Sequence, residues 1–305
     1  MDTSILPSLH LPRLPDISKP EMDFQESSFF RPASSTSPIP QLPPPNLVRE
    51  TSKVQGLRVT VFKNLNLVVK FGGPPNVKLE EAQAMWAIGK LFPANDVPVP
   101  ELFGWRVDQG ENFIYMSLIK GPTLGEVWPL LTKEDKTSIC GQLSQMVASL
   151  RRIQHPSSQP LIGSINYGQV QDIYFRGGEE AGPFHTVSAF NDWVQFTALP
   201  WLPVSERPAD PYRSLLPDTC NVHFTHADLH LYNIIISDTP GCRSIVGIVD
   251  WGQAGWYPEY WEYCKLTIIG QHQHEWREGG WADSVMTSYA KEWTALSEYW
   301  MWRCP

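Results

Sequence analysis

The sequence predicts an α+β protein of two lobes: a small β-rich N-lobe over residues 51–119 and a larger, mostly helical C-lobe over residues 120–305. Two patterns and the chain's size predict this. Between Leu57 and Ile119, short β-branched runs alternate apolar and polar residues, as half-buried strands do. Downstream, Ile139, Leu143, Met146, Leu150 and Ile153 recur at steps of four and three, the stripe of a buried helix face. The 305 residues, 42% of them hydrophobic, suffice for a full core in two lobes rather than for two independent domains.

Taken in order, residues 1–50 are rich in Pro and Ser and end in Ile39-Pro40-Gln41-Leu42-Pro43-Pro44-Pro45. Proline disrupts ladders and favours extended polyproline geometry, so this stretch reads as a disordered tail that could dock an SH3-like or WW-like partner. Leu57–Phe62 and Leu65–Phe71 read as a hairpin turning at Lys63-Asn64. Lys78–Phe92 reads as a helix burying Leu79, Ala82, Met85 or Trp86, and Phe92. Asn112–Ile119 is a strand closed by Lys120-Gly121-Pro122, where the lobes should hinge. Thr132 caps the next helix with Asp135 as its capping-box partner. Residues 162–217 carry Gly, Pro and polar breaks and read as loops and short helices. Val285, Tyr289, Trp293, Leu296 and Trp300 mark a final amphipathic helix.

Charge and cysteine usage narrow the function classes. A formal charge of -8 disfavours nucleic acid as a partner and is compatible with a cationic ligand, although ordinary solubility accounts for it more simply. Cys140, Cys220, Cys242, Cys264 and Cys304 are scattered and show no C-x-x-C pair, which points to free thiols in a reducing compartment. The N-terminus lacks the basic-then-apolar signature of a signal peptide, and no apolar run is long enough to span a bilayer. A cytoplasmic location without membrane attachment is the expectation.

The chemistry concentrates between Phe224 and Trp251. His226, Asp228 and Asn233 hold the spacing H-x-D-x-x-x-x-N, and Asp250 follows after an apolar run. This is the spacing of a kinase catalytic loop and its metal-binding aspartate. Phosphoryl transfer needs a carboxylate to orient the attacking hydroxyl and take its proton, the role given to Asp228. It also needs oxygen ligands for magnesium, the roles of Asn233 and Asp250. His226 reads as a structural brace of the loop. Ile234–Ile236 and Ile245–Val249, separated by Asp238-Thr239-Pro240-Gly241, read as a hairpin bringing Asn233 and Asp250 to the same end.

With His226-Ala227-Asp228, Asn233 and Val249-Asp250-Trp251 in place, the chain resembles the aminoglycoside phosphotransferase and choline kinase group of small-molecule kinases. Ala254 to Glu262 is similar to a stretch common in fungal members, and the resemblance covers roughly Val59 to Trp300. It implies a two-lobed protein-kinase-like fold. It also implies Mg-dependent transfer of the γ-phosphoryl group of ATP, or of GTP, to a hydroxyl of a small acceptor. Lys70 is similar to the strand lysine that contacts nucleotide phosphates. An acidic residue of the following helix should pair with it. Glu81 matches the fungal relatives best, and Glu80 is its close rival. At the hinge, the carbonyl of Ser117 and the amide of Ile119 are placed to meet the adenine, with Met116 lining the back of the pocket.

The pattern departs from the group in two places. No Gly-rich loop precedes Lys70: Gly56 stands alone and Gly72-Gly73 follow it. Gly252 stands where many fungal relatives carry an acidic residue. Trp251, Trp256, Tyr257, Tyr260 and Trp261, interleaved with Glu259 and Glu262, read either as packing or as part of a site for a cationic acceptor. Two rival functions remain. A metal-dependent hydrolase would take His226, Asp228 and His230, alternating on an extended segment, as zinc ligands. A catalytically silent, kinase-like binding protein would explain the missing Gly-rich loop. A protein kinase is disfavoured because no Ala-Pro-Glu segment supports a peptide platform.

Overall fold

The computed structural model describes residues 8–31, 39–55, 58–175, 181–239, 243–268 and 273–303. The chain divides into two compact units. One holds Met1–Leu11, Gly121–Val246 and Gln253–Pro305; the smaller holds Pro12–Lys120 and Gly247–Gly252. The chain opens in the larger unit, where β1 (Leu9–His10) pairs in parallel with Ile153–Gln154.

The smaller unit is built on a five-stranded antiparallel sheet. Its strands are β2 (Glu21–Asp23), β3 (Val59–Phe62), β4 (Leu67–Gly72), β5 (Leu102–Asp108) and β6 (Glu111–Ser117), in the order β2-β5-β6-β4-β3. β3 and β4 form the expected hairpin, turned by Lys63–Leu65 and a left-handed Asn66 at φ 48°; Leu57 lies outside the described residues. Alternation along β4 sends Leu67, Val69 and Phe71 into an apolar cluster with Phe113 and Tyr115 of β6. Lys70, between them in the sequence, points the other way, toward α2 (Glu80–Leu91). Gly104 allows β2 to lie on β5, because a Cβ there would stand 2.3 Å from the Met22 carbonyl oxygen.

The N-terminal stretch is not a disordered tail over its described residues. Phe29, Phe30, Leu42 and Val48 complete the apolar cluster on the sheet. Phe29 packs 5.1 Å from Phe103, and Phe24 5.7 Å from Trp105. The physical reason is that large side chains spaced among the prolines each contribute about 1.5–3 kcal/mol on burial, which offsets the cost of ordering the chain. Helix α1 (Pro45–Gln55) starts on a proline, tolerated where no amide partner is needed. Arg49 fastens it with bonds of 2.6 Å to Asp108 and 2.8 Å to Glu111. The Pro-rich run is engaged by its own chain: Leu42 is buried and the Pro43 carbonyl accepts the Tyr115 hydroxyl at 2.8 Å. Residues 1–7 and 32–38 lie outside the described residues.

The larger unit is mostly helical. Its elements begin with α3 (Leu124–Val127) and α4 (Lys133–Arg151). Thr132 accepts the Asp135 amide and Asp135 accepts the Thr132 amide, the expected capping box. Ile139, Leu143, Met146 and Leu150 are buried on α4. Ile153 is buried too, but in the short strand β7 (Ile153–Gln154), because the helix has ended. β8 (Gly163–Ser164), β9 (Val222–Thr225) and β12 (Gly255–Pro258) make a three-stranded sheet in the order β8-β12-β9. β10 (Ile234–Ile236) and β11 (Ile245–Ile248) pair as a two-stranded ladder, and the turn residues Pro240 and Gly241 lie outside the described residues.

Helices α5 (Val187–Thr197), α6 (Trp261–Ile268), α7 (Gln273–Glu278), α8 (Trp281–Val285) and α9 (Ala290–Arg303) complete the unit. The last helix differs from its expected stripe. Val285 ends α8, and α9 buries Ala295, Leu296 and Tyr299 while Trp293 and Trp300 are half-buried. Cys140, Cys220 and Cys264 are free thiols; Cys242 and Cys304 lie outside the described residues. Among the described residues no helix is long and apolar enough to cross a membrane.

If the N-terminal stretch is part of the fold, Phe29→Ala should destabilise the protein by about 3 kcal/mol, as loss of a buried aromatic does. Urea unfolding checks this, and a change within about 0.5 kcal/mol, normal for a surface position, would return the stretch to a tail.

Candidate functional site

In the smaller unit, Lys70 is the centre of a charge cluster. Its Nζ donates to both Glu81 carboxylate oxygens, at 2.9 and 2.7 Å, and to Asp250 Oδ1 at 2.7 Å. The Glu81 side chain is 2% exposed and that of Lys70 18%. Glu80 sits half-buried at the start of the helix, one residue and about 100° of rotation away. Burial works against the Lys70 charge, but the Glu81 and Asp250 carboxylates outweigh it and hold the ammonium above the ordinary lysine range. A raised lysine pKa means that the cluster's stabilisation is complete at neutral pH and fades only as pH rises beyond that range.

Asp250 adopts a left-handed conformation, φ 64°, uncommon outside glycine. Its carboxylate is 44% exposed although one oxygen is held by Lys70. Just upstream, the Ile248 amide donates to the Pro98 carbonyl at 2.8 Å, which anchors the end of β11. Gly252 keeps this cluster open: a Cβ there would lie 3.2 Å from Glu81 Oε2. An acidic side chain at that position would therefore rise beside a carboxylate already bound to Lys70. Met116 and Ser117 end β6, with Met116 buried against Val68 and Leu102 in register, and Ile119 follows half-buried.

In the larger unit, β9 delivers the chain into the Asp228 loop. His226 is fully buried, and its Nδ1 accepts the Asp228 amide at 3.2 Å, so it braces the loop. Ala227 takes φ 61°, a strained choice for alanine of about 1–2 kcal/mol. Asn233, on the turn Leu231–Asn233, donates from Nδ2 to the Asp228 carbonyl at 2.8 Å and to Asp228 Oδ2 at 3.1 Å. This orients the carboxylate and turns the Asn233 Oδ1 branch away from it. His230 caps the same turn, accepting the Tyr232 amide at Nδ1.

The zinc-ligand arrangement of His226, Asp228 and His230 is not present. The left-handed Ala227 breaks the extended segment on which the three would share a face, and His226 is committed to the loop backbone. Among the described residues no group of three or more His, Cys, Asp or Glu side chains is arranged to hold a metal ion. The aromatic stretch after Asp250 is core. Trp251, Trp256, Tyr257, Tyr260 and Trp261 are each at most 1% exposed, so no cation can reach their faces from solvent.

Glu262 belongs to this core and was not foreseen as part of the loop machinery. It is 4% exposed, and its Oε2 accepts the amides of His226 at 2.7 Å and Ala227 at 3.2 Å. Contacts to backbone amides leave no side-chain pattern in a sequence, so only its place in an aromatic run could have drawn attention.

The Lys70 cluster should behave as a coupled unit. Lys70→Met should destabilise the protein by about 3–5 kcal/mol, because Glu81 is left buried without its cation. The double variant Lys70→Met/Glu81→Gln should recover part of that loss. Denaturant unfolding of the singles and the double measures the coupling, and simple additivity would mean the pair is energetically idle.

No curated protein matches the chain. Among solved structures it is similar to an aminoglycoside-3'-phosphotransferase of type VIII, at 15% identity, covering 77% of this chain and 83% of that one, with a TM-score of 0.45. It is similar to ADP-bound aminoglycoside phosphotransferase APH(2'')-Ib at 13% identity, covering 82% and 86%, with a TM-score of 0.48. The streptomycin–ATP–APH(2'')-IIa ternary complex is similar at 13% identity, covering 84% and 87%, also with a TM-score of 0.48. The profile described as the phosphotransferase enzyme family matches residues 55–299, which include the Lys70 cluster, the Asp228 loop and Glu262. By that match the chain belongs to the phosphotransferase enzyme family.

Proposed function

We propose that the protein is a small-molecule kinase. It transfers the γ-phosphoryl group of ATP, with GTP as the alternative donor, to a hydroxyl of a small acceptor in a magnesium-dependent reaction. The observation that carries this reading is the Lys70 ammonium held by both Glu81 and Asp250. A charged lysine oriented by a buried glutamate suits the neutralisation of nucleotide phosphates.

The donor set fits magnesium. Asp250 offers a partly exposed carboxylate and Asn233 an amide oxygen turned away from Asp228, the hard oxygen ligands this cation takes alongside substrate phosphates. When bound, the ion would neutralise the charge that develops on the phosphoryl oxygens. Asp228 orients the acceptor hydroxyl and takes its proton as the oxygen attacks phosphorus, and the Asn233 amide keeps that carboxylate in one rotamer. Met116, Ser117 and Ile119 serve the adenine through position and backbone groups. A net charge of -8 favours acceptors that carry positive charge. The three free thiols suit a reducing, cytoplasmic setting.

One observation favours a second reading, a nucleotide-binding protein without turnover. Ahead of β3 the chain forms the helix Pro45–Gln55, and the β3–β4 turn is Lys63-Asn64-Leu65, so among the described residues there no Gly-rich backbone is placed to cover phosphates.

The two readings separate in one set of measurements. For the kinase, Mg–ATP should raise the melting temperature of the wild type, and Asp250→Ala should lose the magnesium-dependent part of that rise. Asp228→Asn should keep the rise while turnover falls by about 10²–10⁴-fold, the usual contribution of a general base. A rise without turnover in any acceptor screen would select the binding protein, and no rise with either nucleotide would remove both.

A further inference from the structure

Glu262 stands at the start of α6 with its two carboxylate oxygens in opposite situations. Oε2 accepts the His226 and Ala227 amides, at 2.7 and 3.2 Å, immediately ahead of Asp228. Oε1 is buried and has no hydrogen-bond partner. The charged and titratable groups around it are Arg151 from α4, Lys265 one turn along α6, Tyr257 from β12 and His226 on the loop. Neither cation is its direct partner. Arg151 donates to the Glu259 carbonyl at 2.9 Å, and Lys265 is bound to Asp172 at 2.7 Å and to Gln253 at 3.0 Å.

A carboxylate that receives two amides on one oxygen and nothing on the other has one place for a proton, Oε1. We propose that Glu262 is a positioning residue whose protonation sets how firmly the Asp228 loop is held. Ionised, it accepts two charge-assisted bonds from the loop amides; protonated at Oε1, it accepts two weaker ones. Burial raises its carboxyl to about 7, with the His226 and Ala227 amides pulling the other way, so the change falls in the neutral range. The linkage has a definite sign. An acid whose pKa is raised on folding makes the fold lose stability as pH climbs from the usual carboxylate range to about 7, and the loss levels off above that. The loop hold strengthens over the same interval in which global stability declines. The consequence for catalysis rests on the kinase reading; the consequence for the loop does not.

The test is amide hydrogen exchange of a peptide spanning residues 226–229 between pH 6 and 8, corrected for intrinsic exchange, in the wild type and in Glu262→Gln. Protection of the His226 and Ala227 amides should rise with pH in the wild type and stay flat in the glutamine variant, which keeps an acceptor oxygen but cannot titrate. Flat wild-type protection, or the same rise in Glu262→Gln, overturns the proposal. Glu262→Ala, where it folds, should lose the protection at every pH. The same series read by Mg–ATP hydrolysis should show kcat rising with protection and KM for the nucleotide steady to about twofold. Displacing a catalytic group by about 1 Å costs on the order of 100-fold, which sets the fall expected in the alanine variant. Absence of turnover in the wild type would count against the kinase reading, and the exchange result would still decide Glu262.

Discussion

A lysine whose side chain is 18% exposed keeps its charge only if carboxylates face it, and Lys70 recruits two of them from distant parts of the chain. Glu81 comes from 11 residues downstream and Asp250 from 180. The cluster thereby fixes the β4 strand, the first turn of α2 and the end of β11 with respect to one another inside the smaller unit. On the opposite face of β4, Val69 and Phe71 are locked by Phe29, Phe30 and Leu42 from the N-terminal stretch. One face of the strand carries the charge cluster and the other the apolar packing, a division that follows from the period of two. Seen this way, the N-terminal wrap supports the charge cluster by holding the strand that presents it.

The larger unit solves the same problem with backbone bonds instead of ion pairs. Asp228 lies on a loop strained at Ala227, and such a loop persists only when its surroundings over-determine it. His226 accepts the Asp228 amide, Asn233 ties the Asp228 carbonyl and carboxylate, and Glu262 accepts the two amides just before them. All of these groups are themselves buried or capped. The strain is therefore local, and its cost is spread over several hydrogen bonds of about 1 kcal/mol each.

What was legible in the sequence follows from how short-ranged the signal is. Asp228 and Asn233 are five residues apart on one loop, a spacing that chemistry alone constrains. Lys70 could be placed on a strand from its neighbours, but choosing Glu81 over Glu80 depends on helix phase, which periodicity fixes only within a residue. The N-terminal stretch was misjudged because proline density outweighs scattered aromatics in any compositional reading. Yet Phe24, Phe29 and Phe30 find a sheet to cover, and proline at the head of α1 is no obstacle. Ile153 and Val285 kept a helical spacing that the helices α4 and α9 do not extend to, since a step of three or four carries no mark of where a helix stops or starts. Glu262 was hidden for a different reason: its partners are amides 35 and 36 residues away, and amides have no letter in the sequence.

Four carboxylates divide the work according to burial and partner. Glu81 and Glu262 are 2% and 4% exposed, and both act as orienters, one for a lysine and one for a loop. Glu81 faces the Lys70 ammonium at 2.7 Å; Glu262 has no cation in direct contact, and burial pushes its carboxyl to about 7. Asp228 and Asp250 keep 12% and 44% of their side chains exposed, as the roles proposed for them require. The shorter side chain suits that role, because an aspartate has one fewer torsion to freeze and its carboxylate stays close to a backbone that is itself held in place. The longer glutamates reach from helices α2 and α6 to that backbone or to its lysine. Exchanging the two acids would keep the charge but shorten the reach at Glu81 and Glu262 and overextend it at Asp228 and Asp250, so each site depends on side-chain length as much as on ionisation.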